Sequence, residues 1–181
     1  SGVFESFNGQ ILVAGYDVYN FFSLMMLKNP GSRFSVRTAR LPGNYRISAV
    51  RIINPSLYLM GTLEGFIFRS TDYGKSWVNT TAGSISPAVN DIAFKDANLI
   101  FAGCTNGIIL RSTNSGLSWS EIATNIPDNI TGIEFKPTDS LFIITDNAGY
   151  VASTATLSNF VQLGRSFSNS GNLYKIRFQD R

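Results

Sequence analysis

Apolar and polar residues alternate along this chain in short runs, and almost nowhere do they recur with the period of a helix. Gly, Asn, Pro or Ser breaks the runs at intervals of about 8–12 residues, which reads as an all-β chain. Phe21–Leu27 is the best helical candidate, but its place in the repeat described next puts it on a strand.

The runs come in fours. Arg46–Ile53, Leu57–Gly61, Phe66–Ser70 and Trp77–Thr81 form one set. Asp91–Lys95, Leu99–Gly103, Ile108–Ser112 and Trp119–Ala123 form the next, and Gly132–Lys136, Leu141–Thr145, Tyr150–Ser153 and Phe160–Leu163 a third. The period is written into the sequence twice over. GFIFRSTDYGKSW at 65–77 returns as GIILRSTNSGLSW at 107–119, and Gly65, Gly107 and Gly149 each stand 42 residues from the next. Four antiparallel strands in such a period are the content of one propeller blade.

The two ends predict a fourth blade. Ile11–Gly15, Ser23–Leu27 and Arg33–Thr38 read as second, third and fourth strands with no first. Tyr174–Asp180 reads as a first strand with nothing after it, and Ile52, Phe94, Phe135 and Phe178 are spaced 42, 41 and 43 apart. The expectation is a single four-bladed β-propeller with blades at about 8–40 plus 173–181, 45–82, 88–124 and 129–165. Tyr174–Asp180 would lie beside Ile11–Gly15 and close the ring, which protects the strand edges.

Composition narrows the function. The chain has 181 residues, 44% of them apolar and 15% charged, enough for one sizeable core. No histidine is present, which removes Ser-His-Asp and Cys-His nucleophilic sites and the usual zinc sites. Cys104 is the single cysteine, so no internal disulfide forms. A net charge of +3 is too small to argue for nucleic acid. No apolar run approaches the roughly 18–20 residues of a helical membrane span. The chain opens Ser1-Gly2-Val3 without an initiator Met, as expected of a processed chain or of a module in a larger protein.

The repeated phrase carries a motif. Ser70-Thr71-Asp72-Tyr73-Gly74-Lys75-Ser76-Trp77 fits S/T-x-D-x-G-x-S/T-W, and Ser112-Thr113-Asn114-Ser115-Gly116-Leu117-Ser118-Trp119 fits it with Asn for Asp. This resembles the Asp-box, or bacterial neuraminidase repeat, found in sialidases, sortilin-type receptors, photosystem II assembly-factor propellers and many phage and bacterial surface proteins. In the other two units the motif is degenerate: 29–34 keeps a glycine and an aromatic, and 153–160 keeps only the aromatic. A tight hairpin explains the motif without any ligand. The Asp or Asn accepts backbone N–H groups, Gly74 and Gly116 supply positive φ, and Trp77 and Trp119 anchor the outer strand. One carboxylate is a poor cation site, so neither a metal nor a cofactor is expected.

In a propeller the turns carrying this motif lie on one rim. The loops between second and third strands, and those between blades, emerge on the opposite face. The candidate ligand-binding residues on that upper face are Tyr16, Asp17, Tyr19, Asn20, Glu64, Asn106 and Asp146. The aromatic stretch 16–22 suits a sugar ring or a partner protein, and equally suits a plug for the central channel. Arg33, Arg37, Arg40 and Arg46 suit an anion clamp, and equally suit solvated charge on an edge strand. Glu64, Asp146 and Asp17 raise the alternative of a glycoside hydrolase, although the arginine triad and Tyr-Glu pair that the sialidase resemblance implies have no counterparts here. The expectation is a non-catalytic binding or structural module of an extracellular or virion surface protein, such as a phage tail fibre or baseplate. It would take a glycan or protein ligand, with no nucleic acid and no membrane partner, and would be a trimer if part of a fibre. A photosystem-assembly-type protein binder is the other reading.

Overall fold

The computed structural model describes residues 3–7, 10–16, 22–28, 35–37, 45–81, 87–136, 140–145, 148–153 and 160–165, with backbone alone in the first sheet. Among the described residues, sixteen strands make four sheets of four antiparallel strands, each sheet built in chain order. The first sheet holds β1 (Val3–Phe7), β2 (Gln10–Tyr16), β3 (Phe22–Lys28) and β4 (Ser35–Arg37). The second holds β5 (Ile47–Ile52), β6 (Tyr58–Thr62), β7 (Ile67–Ser70) and β8 (Val78–Asn79). The third holds β9 (Val89–Phe94), β10 (Ile100–Cys104), β11 (Ile109–Ser112) and β12 (Ser120–Ile122), and the fourth β13 (Ile130–Lys136), β14 (Ser140–Thr145), β15 (Ala148–Ser153) and β16 (Val161–Arg165). The segment with helical periodicity is strand β3, since its apolar residues pair along β2.

The sheets stand face to face in sequence, with β1 against β5, β5 against β9 and β9 against β13. Alternation sends one set of side chains to each face, so the inner sheets are buried on both. Leu59, Ile67, Ile92, Ile100 and Ala102 fill the gap between the second and third sheets. Phe101, Ile109, Ile133, Leu141, Ile143 and Phe160 fill the next. Val50, Ile52, Tyr58, Met60 and Phe68 lie on the other face of the second sheet, toward the first. Tyr45 and Phe66 add an edge-on ring contact at 5.0 Å.

Two expectations need correction. The edge of β2 assigned to Tyr174–Asp180 is taken by β1, with Val3 opposite Ala14 and Phe7 opposite Gln10, while β3 takes the other edge. The first sheet is thus complete from the N-terminal segment. VFESF escapes a pattern search because its alternation is poor, with two polar residues following Val3-Phe4. Tyr174–Asp180 itself lies outside the described residues, and β13 and β1 make no contact comparable to the other three among the described residues. The even spacing of Gly149 also misleads. Gly65 and Gly107 have positive φ (85° and 68°) in the loops before β7 and β11, whereas Gly149 lies within β15, opposite Ile144.

Candidate functional site

The rim turns are held mainly by their own residues. In the β7–β8 hairpin, Asp72 Oδ1 accepts from Ser70 Oγ and from the N–H groups of Lys75 and Ser76, each at 2.9 Å, and Oδ2 accepts from Ser76 Oγ at 2.7 Å. Ser70 Oγ accepts from Gly74 N–H at 2.9 Å, and Trp77 Nε1 donates to Gly74 O at 3.1 Å. Tyr73 and Gly74 both take positive φ, 63° and 76°. Burial pushes the Asp72 carboxyl up, but the bonds from Ser76, Ser70 and Lys75 outweigh it and hold its pKa at about 2. The β11–β12 hairpin repeats the scheme with Asn114, which accepts from Ser112 Oγ at 2.9 Å and Ser118 N–H at 3.0 Å and donates to Ser118 Oγ at 2.8 Å. Gly116 N–H donates to Ser112 Oγ, and Trp119 Nε1 reaches back to Thr80 Oγ1 on the preceding sheet at 3.1 Å.

On the opposite side, the loops at 62–64 and 104–106 are tied to the start of the first strand. Leu63 N–H donates to Arg46 O at 2.8 Å, and one period later Thr105 N–H donates to Ala88 O at 3.0 Å. The return bond differs between the two. Ala88 N–H donates to the Thr105 hydroxyl, whereas Arg46 N–H donates to Glu64 Oε2 at 2.9 Å and Arg46 Nε to Glu64 Oε1 at 2.9 Å. Partial burial alone would raise the Glu64 carboxyl; the Arg46 hydrogen bonds and charge outweigh it, so its pKa sits below the ordinary value. Asn106 takes φ 59°, and its N–H donates to Asn129 Oδ1 at 3.0 Å. Its exposed side-chain amide makes no hydrogen bond among the described residues, and Leu63, in the corresponding loop of the preceding sheet, is 39% exposed.

Of the sequence-predicted ligand residues, the structure therefore places Glu64 and Asn106 at the same turn of adjacent sheets. Tyr16 ends β2, with only its backbone described, while Asp17, Tyr19, Asn20 and Asp146 lie outside the described residues. Of the arginine cluster, Arg46 is engaged by Glu64; Arg37 lies in β4, and Arg33 and Arg40 lie outside the described residues. Cys104 is buried, and burial, with Glu121 nearby, pushes its thiol up to about 12, which makes it inert. Among the described residues no group of His, Cys, Asp or Glu could hold a metal ion, and no helix is long and apolar enough to cross a membrane.

The groups that join the sheets were not predicted. The first strands of the second, third and fourth sheets each skip one residue against their partner: Ser48 in β5, Asn90 in β9 and Thr131 in β13. Such a bulge re-aims a side chain. Ser48 Oγ donates to Val89 O, and Asn90 Nδ2 to Ile130 O at 2.7 Å, each crossing to the next sheet. Deeper in, Arg51 and Asp91 form an ion pair at 2.9 Å with side chains only 4% and 5% exposed. Asp91 also accepts from Ile92 N–H and, through Oδ2, from Ile133 N–H at 3.3 Å, so one carboxylate links β5, β9 and β13. Arg69 Nε donates to Ser115 O of the next sheet's rim turn at 2.7 Å; Arg111 holds the same place one period on, and its buried Nε has no hydrogen-bond partner among the described residues. With the Trp119–Thr80 bond included, residues 39–46 apart bond in every case, close to the repeat length, and that arithmetic was the available signal.

No protein-family model and no curated protein sequence matches the chain. Solved structures do. The fold is similar to YCF48 bound to D1 peptide (TM-score 0.65, 15% identity, 86% of this chain and 51% of that one). It is similar to the GH74 xyloglucanase from Xanthomonas campestris (TM-score 0.67, 15% identity, 91% and 30%). It is also similar to virginiamycin B lyase from Staphylococcus aureus, a catalytically inactive form with quinupristin (TM-score 0.75, 15% identity, 94% and 56%). All three are β-propellers, and so is the architecture of this chain, which spans about half the length of YCF48 and the lyase and less of the xyloglucanase.

Proposed function

We propose that this chain is a non-catalytic propeller module that binds an extended peptide of a partner protein on the face carrying loops 62–64 and 104–106. The observation that supports it is the state of Glu64. Both of its oxygens are engaged by Arg46 and its pKa is lowered. A glycosidase needs a carboxyl whose pKa is raised so that it can donate a proton, and Glu64 is shifted the other way. It braces a loop, and that loop presents Leu63 to solvent. The corresponding loop of the next sheet presents the Asn106 amide, and an apolar group and an amide on one face suit an extended peptide. YCF48, similar in fold, binds a peptide, which supports a protein ligand over a glycan. The Asp-box family, the extracellular or virion surface setting and the tail-fibre or baseplate role draw their support from the sequence resemblance alone.

Selection from a random peptide display library on the immobilised chain, with a glycan array and aryl glycosides in parallel, tests the reading. An enriched peptide whose affinity falls about tenfold or more in Leu63→Asp or Asn106→Asp supports it. Enrichment of glycans alone moves the ligand class. Turnover of a glycoside that Glu64→Gln abolishes overturns the reading.

A further inference from the structure

Three stretches of the chain place asparagine two residues before a hydroxyl side chain: Asn54-Pro55-Ser56, Asn79-Thr80-Thr81 and Asn129-Ile130-Thr131. Asn-x-Ser/Thr, with x other than proline, is the acceptor pattern for an N-linked glycan. Pro55 removes the first stretch. The structure separates the other two.

Asn79 ends β8, the edge strand of the second sheet, and is exposed. Its Oδ1 accepts from Thr81 N–H at 3.0 Å and from Thr81 Oγ1 at 2.8 Å. Thr81 Oγ1 accepts in turn from Ile67 N–H at 3.3 Å, which leaves the hydroxyl proton for Asn79. Asn79 Nδ2, the atom that would take a sugar, makes no hydrogen bond among the described residues. The Asn79–Thr81 contact spans two residues, so it needs no finished sheet to form. The hairpin itself does not require these residues. In the third sheet Glu121 stands opposite Leu110 as Asn79 stands opposite Phe68, and Ala123 follows where Thr81 does. Asn129 is placed differently. It is half-buried, its Oδ1 accepts from Asn106 N–H at 3.0 Å, and Ile130 beside it is completely buried. A glycan there would crowd the brace of loop 104–106.

We propose that Asn79 is an N-glycosylation site and that Asn129 stays bare in the folded protein. The donor is an oligosaccharide carried on a lipid pyrophosphate. Asn79 Nδ2 forms a bond to C1 of the first sugar, and the bond from C1 to the pyrophosphate oxygen breaks. The lipid pyrophosphate leaves with that electron pair, and Nδ2 loses one proton. The donor and its transferase belong to a secretory membrane, so the inference takes with it the extracellular setting proposed above. The glycan would stand on an open strand edge, next to Val78 at 65% exposure. A bulky hydrophilic group there hinders edge-to-edge pairing with another chain.

Secretion of the 181-residue chain from cultured eukaryotic cells, followed by mass mapping of its peptides, tests this. The expected result is one glycan, on the peptide that holds Asn79, and none on Asn129. Asn79→Gln and Thr81→Val should abolish it, whereas Thr81→Ser should retain it. Asn79→Gln, at an exposed position, should keep the far-UV circular dichroism spectrum of the wild type. Enzymatic release of the glycan should leave aspartate at position 79. The cells impose the secretory route, so a bare wild-type chain counts against the site itself and not against the extracellular setting. That result, a glycan on Asn129, or a modification that survives Thr81→Val overturns the proposal.

Discussion

The rim turns and the upper loops are both short, polar and rich in glycine, yet they are held by opposite means. Asp72 and Asn114 spend their hydrogen bonds within four residues of themselves, so the motif's own side chains act as a local staple. The upper loops are fixed from a distance: Glu64 by Arg46, and Asn106 by Asn129. Local satisfaction occupies the motif's polar groups, while Tyr73 and Leu117 remain exposed on the rim. Distant bracing holds the upper backbone rigid while freeing Leu63 and the Asn106 amide to face solvent. The contrast shows that the repeated motif serves as scaffold, and the proposed recognition surface sits where the repeat diverges.

The largest effect should come from the deep tie between sheets. Asp91→Ala removes the carboxylate that serves Arg51, Ile92 and Ile133 and should cost about 3–5 kcal/mol in urea unfolding. The double change Arg51→Met with Asp91→Leu should recover most of that loss. Gly61→Ala comes next, because its Cβ meets Val89; about 1–3 kcal/mol is expected, with relief in Val89→Ala. Within the rim, Asp72→Ala should cost about 2 kcal/mol and Asn114→Ala about 1, because bonds to a charged acceptor are the stronger.

The Asp72 turn also predicts a pH signature. Its folded pKa of about 2 lies below the ordinary 3.8, so its stabilisation is present above about pH 4 and is lost as pH falls toward 2. Thermal melts from pH 5 to 2 should fall more steeply for the wild type than for Asp72→Asn. The smallest effect belongs to Glu64→Gln. Arg46 is mostly exposed, and such pairs contribute about 0–1 kcal/mol.

The sequence was legible where its chemistry is local. Alternation and period placed the strands of the second, third and fourth sheets to within a few residues, and the doubled phrase located the rim turns. It was opaque where contacts join one sheet to the next. Ser48 and Asn90 look like ordinary strand polar residues until the bulge turns them toward a neighbour, and Asp91 does so until its bonds to Arg51 and Ile133 are seen. Ring closure was misjudged for the same reason. Tyr174–Asp180 matches the first-strand pattern better than Val3–Phe7 does, but β1 has the shorter loop to close, just two residues before β2. Leu63 escaped notice because exposure depends on which side of a loop the braces hold, and no pattern in TLEG discloses that.

The most direct test of a divided molecule, with an inert rim and a recognising upper face, is calorimetric titration of one selected peptide into three proteins: the wild type, Leu63→Asp and Asp72→Asn. Binding lost in Leu63→Asp and unchanged in Asp72→Asn is the predicted result. Binding that survives at position 63 and fails at position 72 would contradict it.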